Sequence, residues 1–247
     1  MGFKLIHAYS KIQCIPFSSI THYLDLVAVS IASDIVPITG ENRVLAYYGL
    51  KQLNESPRTG LREIIREAEI NKALTIEDVV FKIGPRINAA GRMETGSRAV
   101  ELLISNDTKL ATGISKEINN YNIERRSVDR VITNEAMRMI SEDQSAMNAK
   151  TTVLYNPSWK KGVIGIVASR LIETYYRPTV ILTESNGFAT GSARSVQGYD
   201  LYQAIEACSD LLECFGGHMF AAGLTLKKEN IKPFIERFEQ YVNKTIT

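Results

Sequence analysis

Thr151-Thr152-Val153-Leu154-Tyr155, closed by the turn pair Asn156-Pro157, opens the part of this sequence that decides its fold. It reads as a strand, and a helical pattern from Val163 to Tyr176 follows, with Gly162 and Gly165 at its start. Pro178–Thr183 reads as a second strand and Phe188–Ser195 as a third. Asp200, with Gln203 three residues on in capping-box spacing, starts a helix expected to run to Phe215. Ala222–Leu226 is a further strand and Ile231–Val242 a closing helix. Strands alternating with helices make a sheet with helices packed on it, so residues 151–247 form an α/β domain.

Upstream of this domain the patterns are helical. From Leu110 the apolar positions Ile114, Ile118, Tyr121, Val128, Ile132, Ala136 and Met139 recur at helical spacing, with no Gly or Pro after Gly113. A helix of roughly 30 residues would reach about 45 Å, which suits a strut joining two lobes; two ordinary helices are the alternative. Ser97 to Ile104, Arg58–Ala68 (opened by Pro57) and Asn42–Asn54 read as shorter helices. Tyr23–Pro37 is apolar enough for a buried strand or a buried helix. Ala28 and Ala32, four apart, tilt it to a helix packed close against a neighbour. Phe3, Leu5, Ile6 and Tyr9 fall near one face of a helix with no cap before it, the pattern of a chain cut inside a larger domain. The expected architecture is α/β in two lobes. A mostly helical lobe spans residues 1–105 and a smaller α/β lobe spans 151–247, with a long helix and linker at 106–150 joining them.

Length and composition narrow the function. At 247 residues the chain can bury a sizeable core, and 45% hydrophobic with 23% charged residues is ordinary for a soluble globular protein. The formal net charge is only +2, so any nucleic-acid site must be a local patch. Cys14, Cys208 and Cys214 lack metal-ligand spacing and are odd in number, which argues for a reducing cytosol and a cytoplasmic protein. There is no apolar run of membrane-spanning length and no signal-peptide order at the start.

Five short stretches carry chemistry. In Phe215-Gly216-Gly217-His218-Met219-Phe220-Ala221-Ala222-Gly223 the two glycines bare the backbone beside a titratable ring; a helix C-cap and a partly buried histidine is the alternative. Phe81 to Met93 sets Arg86, Asn88 and Arg92 among Gly, Pro and Ala. Arginine forks match phosphate or carboxylate oxygens, and a turn whose arginines pair with carboxylates is the other reading. In Trp159-Lys160-Lys161-Gly162 the sole tryptophan is a stacking platform for a base or a domain-edge anchor. In Gly191-Ser192-Ala193-Arg194-Ser195 the arginine and flanking serines can hold a phosphate. Asp34, at the end of an apolar segment, needs a cation, a metal or a cap. The motifs of residues 159–218 are expected at element ends, where open α/β sheets bind ligands. Together with Arg86, Asn88 and Arg92 they describe a phosphodiester held between two lobes.

The sequence resembles the RecJ family of single-strand-specific DNA exonucleases, within the DHH phosphoesterase superfamily. The resemblance rests on Leu24–Ala28, Ser33-Asp34-Ile35-Val36-Pro37, Gly40-Glu41-Asn42-Arg43, Gly84–Met93, Trp159–Arg170, Ser192–Ser195 and Gly216-Gly217-His218, in that order and over nearly the whole chain. It implies a 5′→3′ exonuclease that hydrolyses single-stranded DNA in repair and recombination, with Mn²⁺ or Mg²⁺ in a two-metal site. It makes residues 1–105 the truncated end of a DHH catalytic domain and 151–247 the DHH-associated substrate-binding domain. By that resemblance Asp34 is a metal ligand, and Arg86, Asn88 and Arg92 lie near the scissile or terminal phosphate. Ser192, Arg194 and His218 grip the strand and the leaving nucleotide, with Trp159, Ser195, Gly216 and Gly217 beside them.

The sequence also departs from the family. It contains no Asp-His-His triplet, and Asp34 alone cannot build a metal pair, because hard divalent cations take several oxygen ligands or a histidine. The chain as written is therefore expected to be inactive although its complete protein is a nuclease. Lys160 stands where the family commonly has histidine, and the nucleic-acid-binding domains that follow in many relatives are missing. Two other readings compete: a phosphodiesterase of the same superfamily acting on oligoribonucleotides or nucleotides, and a non-catalytic nucleic-acid-binding module.

Overall fold

The computed structural model describes residues 1–246 and divides into two compact units, residues 1–124 and 125–247. The first unit is helical: α1 (Gly2–Ile12), α2 (Leu24–Ser33), α3 (Gly40–Glu55), α4 (Thr59–Glu67), the short α5 (Ile76–Asp78), α6 (Gly84–Met93), α7 (Ser97–Ile104) and the first half of α8 (Thr108–Glu142). Its core gathers Ala28 and Ala32 of α2, Leu53, Leu61, Ile64, Ile83, Leu102, Ile114 and Ile118. Tyr23–Pro37 is thus a helix over Leu24–Ser33, and its small alanines do pack against a neighbour, α3. The segment after Asp78 makes a π-helical turn, Val79–Ile83, before α6. Pro85, in the first turn of α6, has no N–H and its ring crowds the preceding turn, a sufficient cause for the widened ladder. Gly84–Met93 is therefore helix, where a turn had been the alternative. Asp25 locks α2 to α4: fully buried, it accepts from Arg58 Nε and Nη2, both at 2.8 Å.

The second unit holds the rest of α8, then α9 (Gln144–Asn148), β1 (Thr152–Tyr155), α10 (Ile164–Tyr175), β2 (Thr179–Ser185), β3 (Phe188–Arg194), α11 (Leu201–Glu206), β4 (Leu212–His218), β5 (Ala221–Leu226) and α12 (Ile231–Thr245). The five strands lie in the order β1-β2-β3-β5-β4, β1 parallel to β2 and the rest antiparallel. One face packs Ala189, Ala193, Ala222, Leu224 and Leu226 onto α11 and α12, where Phe234 and Phe238 stack at 5.5 Å. The other face carries α10, which lies against β2 and β3.

Two sequence expectations change here. The helix after Asp200 stops at Glu206, and Leu212 to His218 is a strand. A bulge between Leu212 and Cys214 turns both Leu212 and Phe215 to the core, opposite Leu226 and Leu224, and this pairing outweighs the helical spacing read across Cys208 to Phe215. Gly216 and Gly217 are consequently strand residues and cap no helix. Gly191–Arg194 forms the C-terminal end of β3, the element end expected for it. The long helical pattern from Leu110 is one unbroken helix of 35 residues.

Candidate functional site

Strand register builds the site in the second unit. Ser192 pairs with Gly223, which pairs with Gly216; Arg194 pairs with Ala221, which pairs with His218. Paired residues share a face, as do residues two apart on one strand, so all six lie on one side of the sheet. Gly223, Ala221 and Gly216 make a floor without bulk, with Ser192 and Arg194 on one flank and His218 on the other. Two interstrand spacings set the flanks about 10 Å apart. Gly216, Gly223 and His218 are exposed, while Ser192 and Arg194 are half-buried under the start of α10.

That start is shaped to receive them. A Cβ on Gly165 would stand 2.9 Å from Arg194 Nη2 and 2.9 Å from Ser192 Oγ. The guanidinium therefore sits in the space a side chain would take, beside the amide-rich first turn of a helix of 12 residues. Arg194 Nη1 donates to Ser192 Oγ at 3.0 Å and to the Ala193 carbonyl at 2.8 Å, which fixes the fork. On the opposite flank the Phe220 amide donates to His218 Nδ1 at 3.3 Å. With Nδ1 accepting, a neutral ring carries its proton at Nε2, where it is a donor to an incoming anion. Gly217 holds the hairpin tight: its φ is +155°, and a Cβ would lie 2.3 Å from the Ala221 carbonyl oxygen.

Not every expected residue joins this face. Ser195 falls on the opposite parity, and its hydroxyl donates to the Tyr199 carbonyl at 2.7 Å. Gly217 contributes backbone geometry only. Trp159 is 4% exposed, and its indole Nε1 donates to Glu135 Oε2 at 2.8 Å. Of its two readings, the anchor describes this ring, whose faces are too buried to stack on a base. Glu135 Oε1 accepts from Asn156 Nδ2 at 2.8 Å, and Thr183 Oγ1 donates to the Trp159 carbonyl at 2.6 Å. This clamp positions the loop that presents Lys160 and Lys161 before α10. Sequence reasoning passed over Glu135. Its signal was a carboxylate three residues past Ile132 and four before Met139, on the apolar side of α8, in a chain whose one tryptophan needs an acceptor when buried.

In the first unit α6 presents Asn88 and Arg92 together. They are exposed and one turn apart, whereas Arg86 points elsewhere, donating from Nη1 to the Lys82 carbonyl at 2.8 Å and from Nε to Asn119 Oδ1 at 3.0 Å. Asp34 lies exposed just past the end of α2, and the preceding Ser33 abuts Gly84 at the start of α6. Among the described residues no group of three or more His, Cys, Asp or Glu is placed to hold a metal ion. Asp34 stands outside any such group, and a hard divalent cation takes several oxygen ligands.

Residues 148–244 match the DHHA1 domain model. The chain is 38% identical over its whole length to the single-stranded-DNA-specific exonuclease RecJ of Bacillus subtilis, of which it covers 31%. It is 35% identical to the RecJ of Haemophilus influenzae, with 90% of this chain and 40% of that one aligned. This chain belongs to the RecJ family. The crystal structure of Thermus thermophilus RecJ with Mg²⁺ superposes with a TM-score of 0.85 at 30% identity, over 95% of this chain and 36% of that one. A structure of exonuclease RecJ bound to manganese superposes at 0.82, over 98% of this chain and 60% of that one. Structural relatives in the RecJ family thus bind divalent metal. The chain spans about a third of the length of the curated RecJ relatives it matches.

Proposed function

We propose that this chain is part of a single-stranded-DNA-specific 5′→3′ exonuclease of DNA repair and recombination, acting in the cytoplasm. In this reading its second unit grips the strand. The observation that carries it is the strand register that sets Ser192, Arg194 and His218 around a floor of Gly216, Ala221 and Gly223. A bare floor admits a sugar-phosphate backbone close to the sheet. Arg194 and the first turn of α10 then draw phosphate oxygens from one flank, and His218 Nε2–H donates from the other. Preorganised donors of this kind also stabilise charge building on a phosphoryl group during hydrolysis. Asn88 and Arg92, neighbours on α6, are the phosphate contacts this reading assigns to the first unit. No helix among the described residues is long and apolar enough to cross a membrane, and the ligand in this reading is single-stranded DNA.

Under this reading the complete enzyme would hold Mn²⁺ or Mg²⁺, which would supply Lewis-acid chemistry for phosphodiester hydrolysis. Asp34 is its one candidate ligand here, so the chain by itself is expected to bind strands without cutting them. The test is binding of fluorescent single-stranded DNA across a salt series by the wild type, Arg194→Ala and His218→Ala. Salt-dependent binding that both variants weaken supports the strand face. Absence of binding, or equal binding by the variants, overturns it. Manganese-dependent release of nucleotides by the purified chain overturns the expected inactivity. Comparing a long deoxy strand with a diribonucleotide on the complete enzyme separates this substrate from the oligoribonucleotides of sister enzymes.

A further inference from the structure

The second unit carries a cavity that the strand face does not use. Arg125, Arg126, Asp129, Arg130 and Asn134 of α8 line it, with Arg170 of α10. Its lining sets four arginines against one aspartate, in a chain whose whole excess is two positive charges. Asp129 is buried and already engaged: Arg170 donates to it from Nε at 3.0 Å and from Nη2 at 2.9 Å, and Thr133 Oγ1 donates at 3.4 Å. Its charge is thus spent on Arg170. Arg126 and Arg130 are exposed and one turn apart on α8, so like charges stand side by side. An anion placed among them relieves that repulsion, and a guanidinium fork matches the oxygens of a phosphodiester. Asn134 adds a neutral amide donor at the wall.

We propose that this cavity holds a backbone phosphate of single-stranded DNA, a second contact on the strand gripped at Ser192, Arg194 and His218; it rests on the reading of that face as a strand site. Both contacts border α10: Gly165, against Arg194, and Arg170, in the cavity wall, are five residues apart, about 7.5 Å along the helix, a span a few nucleotides cover. Five residues turn the helix through about 140°, so Gly165 and Arg170 lie on different sides of α10, and the strand passes from the sheet face round its flank to α8.

The experiment measures affinity for oligothymidylates of about 4 and about 16 nucleotides, over a salt series. It compares the wild type with Arg126→Ala/Arg130→Ala, Arg126→Lys/Arg130→Lys and Arg194→Ala. The double alanine variant is expected to bind the long strand about tenfold more weakly at low salt and to leave the short one unchanged. Its slope of log affinity against log salt falls by about 0.7, the share of one phosphate contact, and the lysine variant restores the slope. Arg194→Ala weakens both lengths. If the double alanine variant keeps wild-type affinity and slope while Arg194→Ala still weakens both lengths, the cavity contact is wrong and the strand face stands. If the double variant weakens both lengths equally, the arginines belong to a single site and the second contact is overturned. Wild type that binds neither length removes the strand reading, and the cavity contact with it.

Discussion

Arg194 fills the space that a side chain on Gly165 would occupy, its Nη2 lying 2.9 Å from where the Cβ would be. Glycine inside a helix ordinarily costs about 0.5–1 kcal/mol relative to alanine, so Gly165→Ala should favour α10. The atoms it meets are the ends of the Arg194 and Ser192 side chains, which rotate away more easily than backbone moves. The variant is therefore expected to keep or raise its melting temperature and to lose about tenfold in affinity for single-stranded DNA, about 1.4 kcal/mol. Calorimetry beside anisotropy checks both halves. Unchanged affinity would show that the guanidinium position does not matter to binding.

Trp159 reports on its own clamp because it is the only tryptophan in the chain. Glu135→Ala leaves both the indole N–H and the Asn156 amide without the carboxylate that accepts from them. Losing hydrogen bonds to a charged acceptor at a part-buried site costs about 1–3 kcal/mol. The expected result is lowered stability and tryptophan emission shifted to the red as the loop loosens. Glu135→Gln, which keeps one acceptor, should fall between wild type and Ala. Emission identical in all three proteins would mean the loop is held by burial alone.

The α/β grammar of residues 151–247 was legible because its strands are short apolar runs bounded by Asn-Pro, Gly and Asp, each with a local cause. What the sequence did not disclose is register. That Ser192, Gly223 and Gly216 align in one row, and Arg194, Ala221 and His218 in the next, follows from long-range pairing that no local pattern encodes. Misreading Leu212 to Phe215 as helix hid that row, since those residues fit either period until the core face of Leu224 is known. Single-residue chemistry was partly visible: Arg194 and His218 share the face, while Ser195, one residue on, takes the opposite parity and turns its hydroxyl to the Tyr199 carbonyl. The buried state of Trp159 depended on Glu135, 24 residues away on another element.

Asp25 and Arg58 form an enclosed ion pair in the first unit, the carboxylate side chain fully buried and the arginine 20% exposed. The same carboxylate also accepts from the Leu26 amide at 2.7 Å. Arg58→Ala strands a buried acceptor among apolar residues, for which a cost of about 3–5 kcal/mol is typical. Asp25→Leu combined with Arg58→Met should recover much of that loss, since an apolar pair of similar size needs no charge compensation. Denaturant midpoints of the single and paired variants decide it. A single variant as stable as wild type would place the pair outside the stabilising interactions of α2 and α4.

Asp78 ties the start of α5 to the π-helical turn and gives the first unit an acid sensitivity of its own. Lys82 Nζ, at 2.8 Å, is the main cause that lowers its carboxyl to about 2, followed by the Thr75 amide at 3.2 Å. An unfolded aspartate titrates near about 3.9. Because the folded value is the lower one, the unfolded chain takes up the proton first as pH drops. The stabilisation is thus fully present above about pH 4 and is lost as pH falls from there to about 2. Asp78→Asn removes that titration while keeping an oxygen for the cap. The stability gap between wild type and variant should hold constant from about pH 7 to about pH 5, then close toward pH 2. A gap that stays open at about pH 2, or one that begins to close near neutrality, would assign the acid response to other carboxylates.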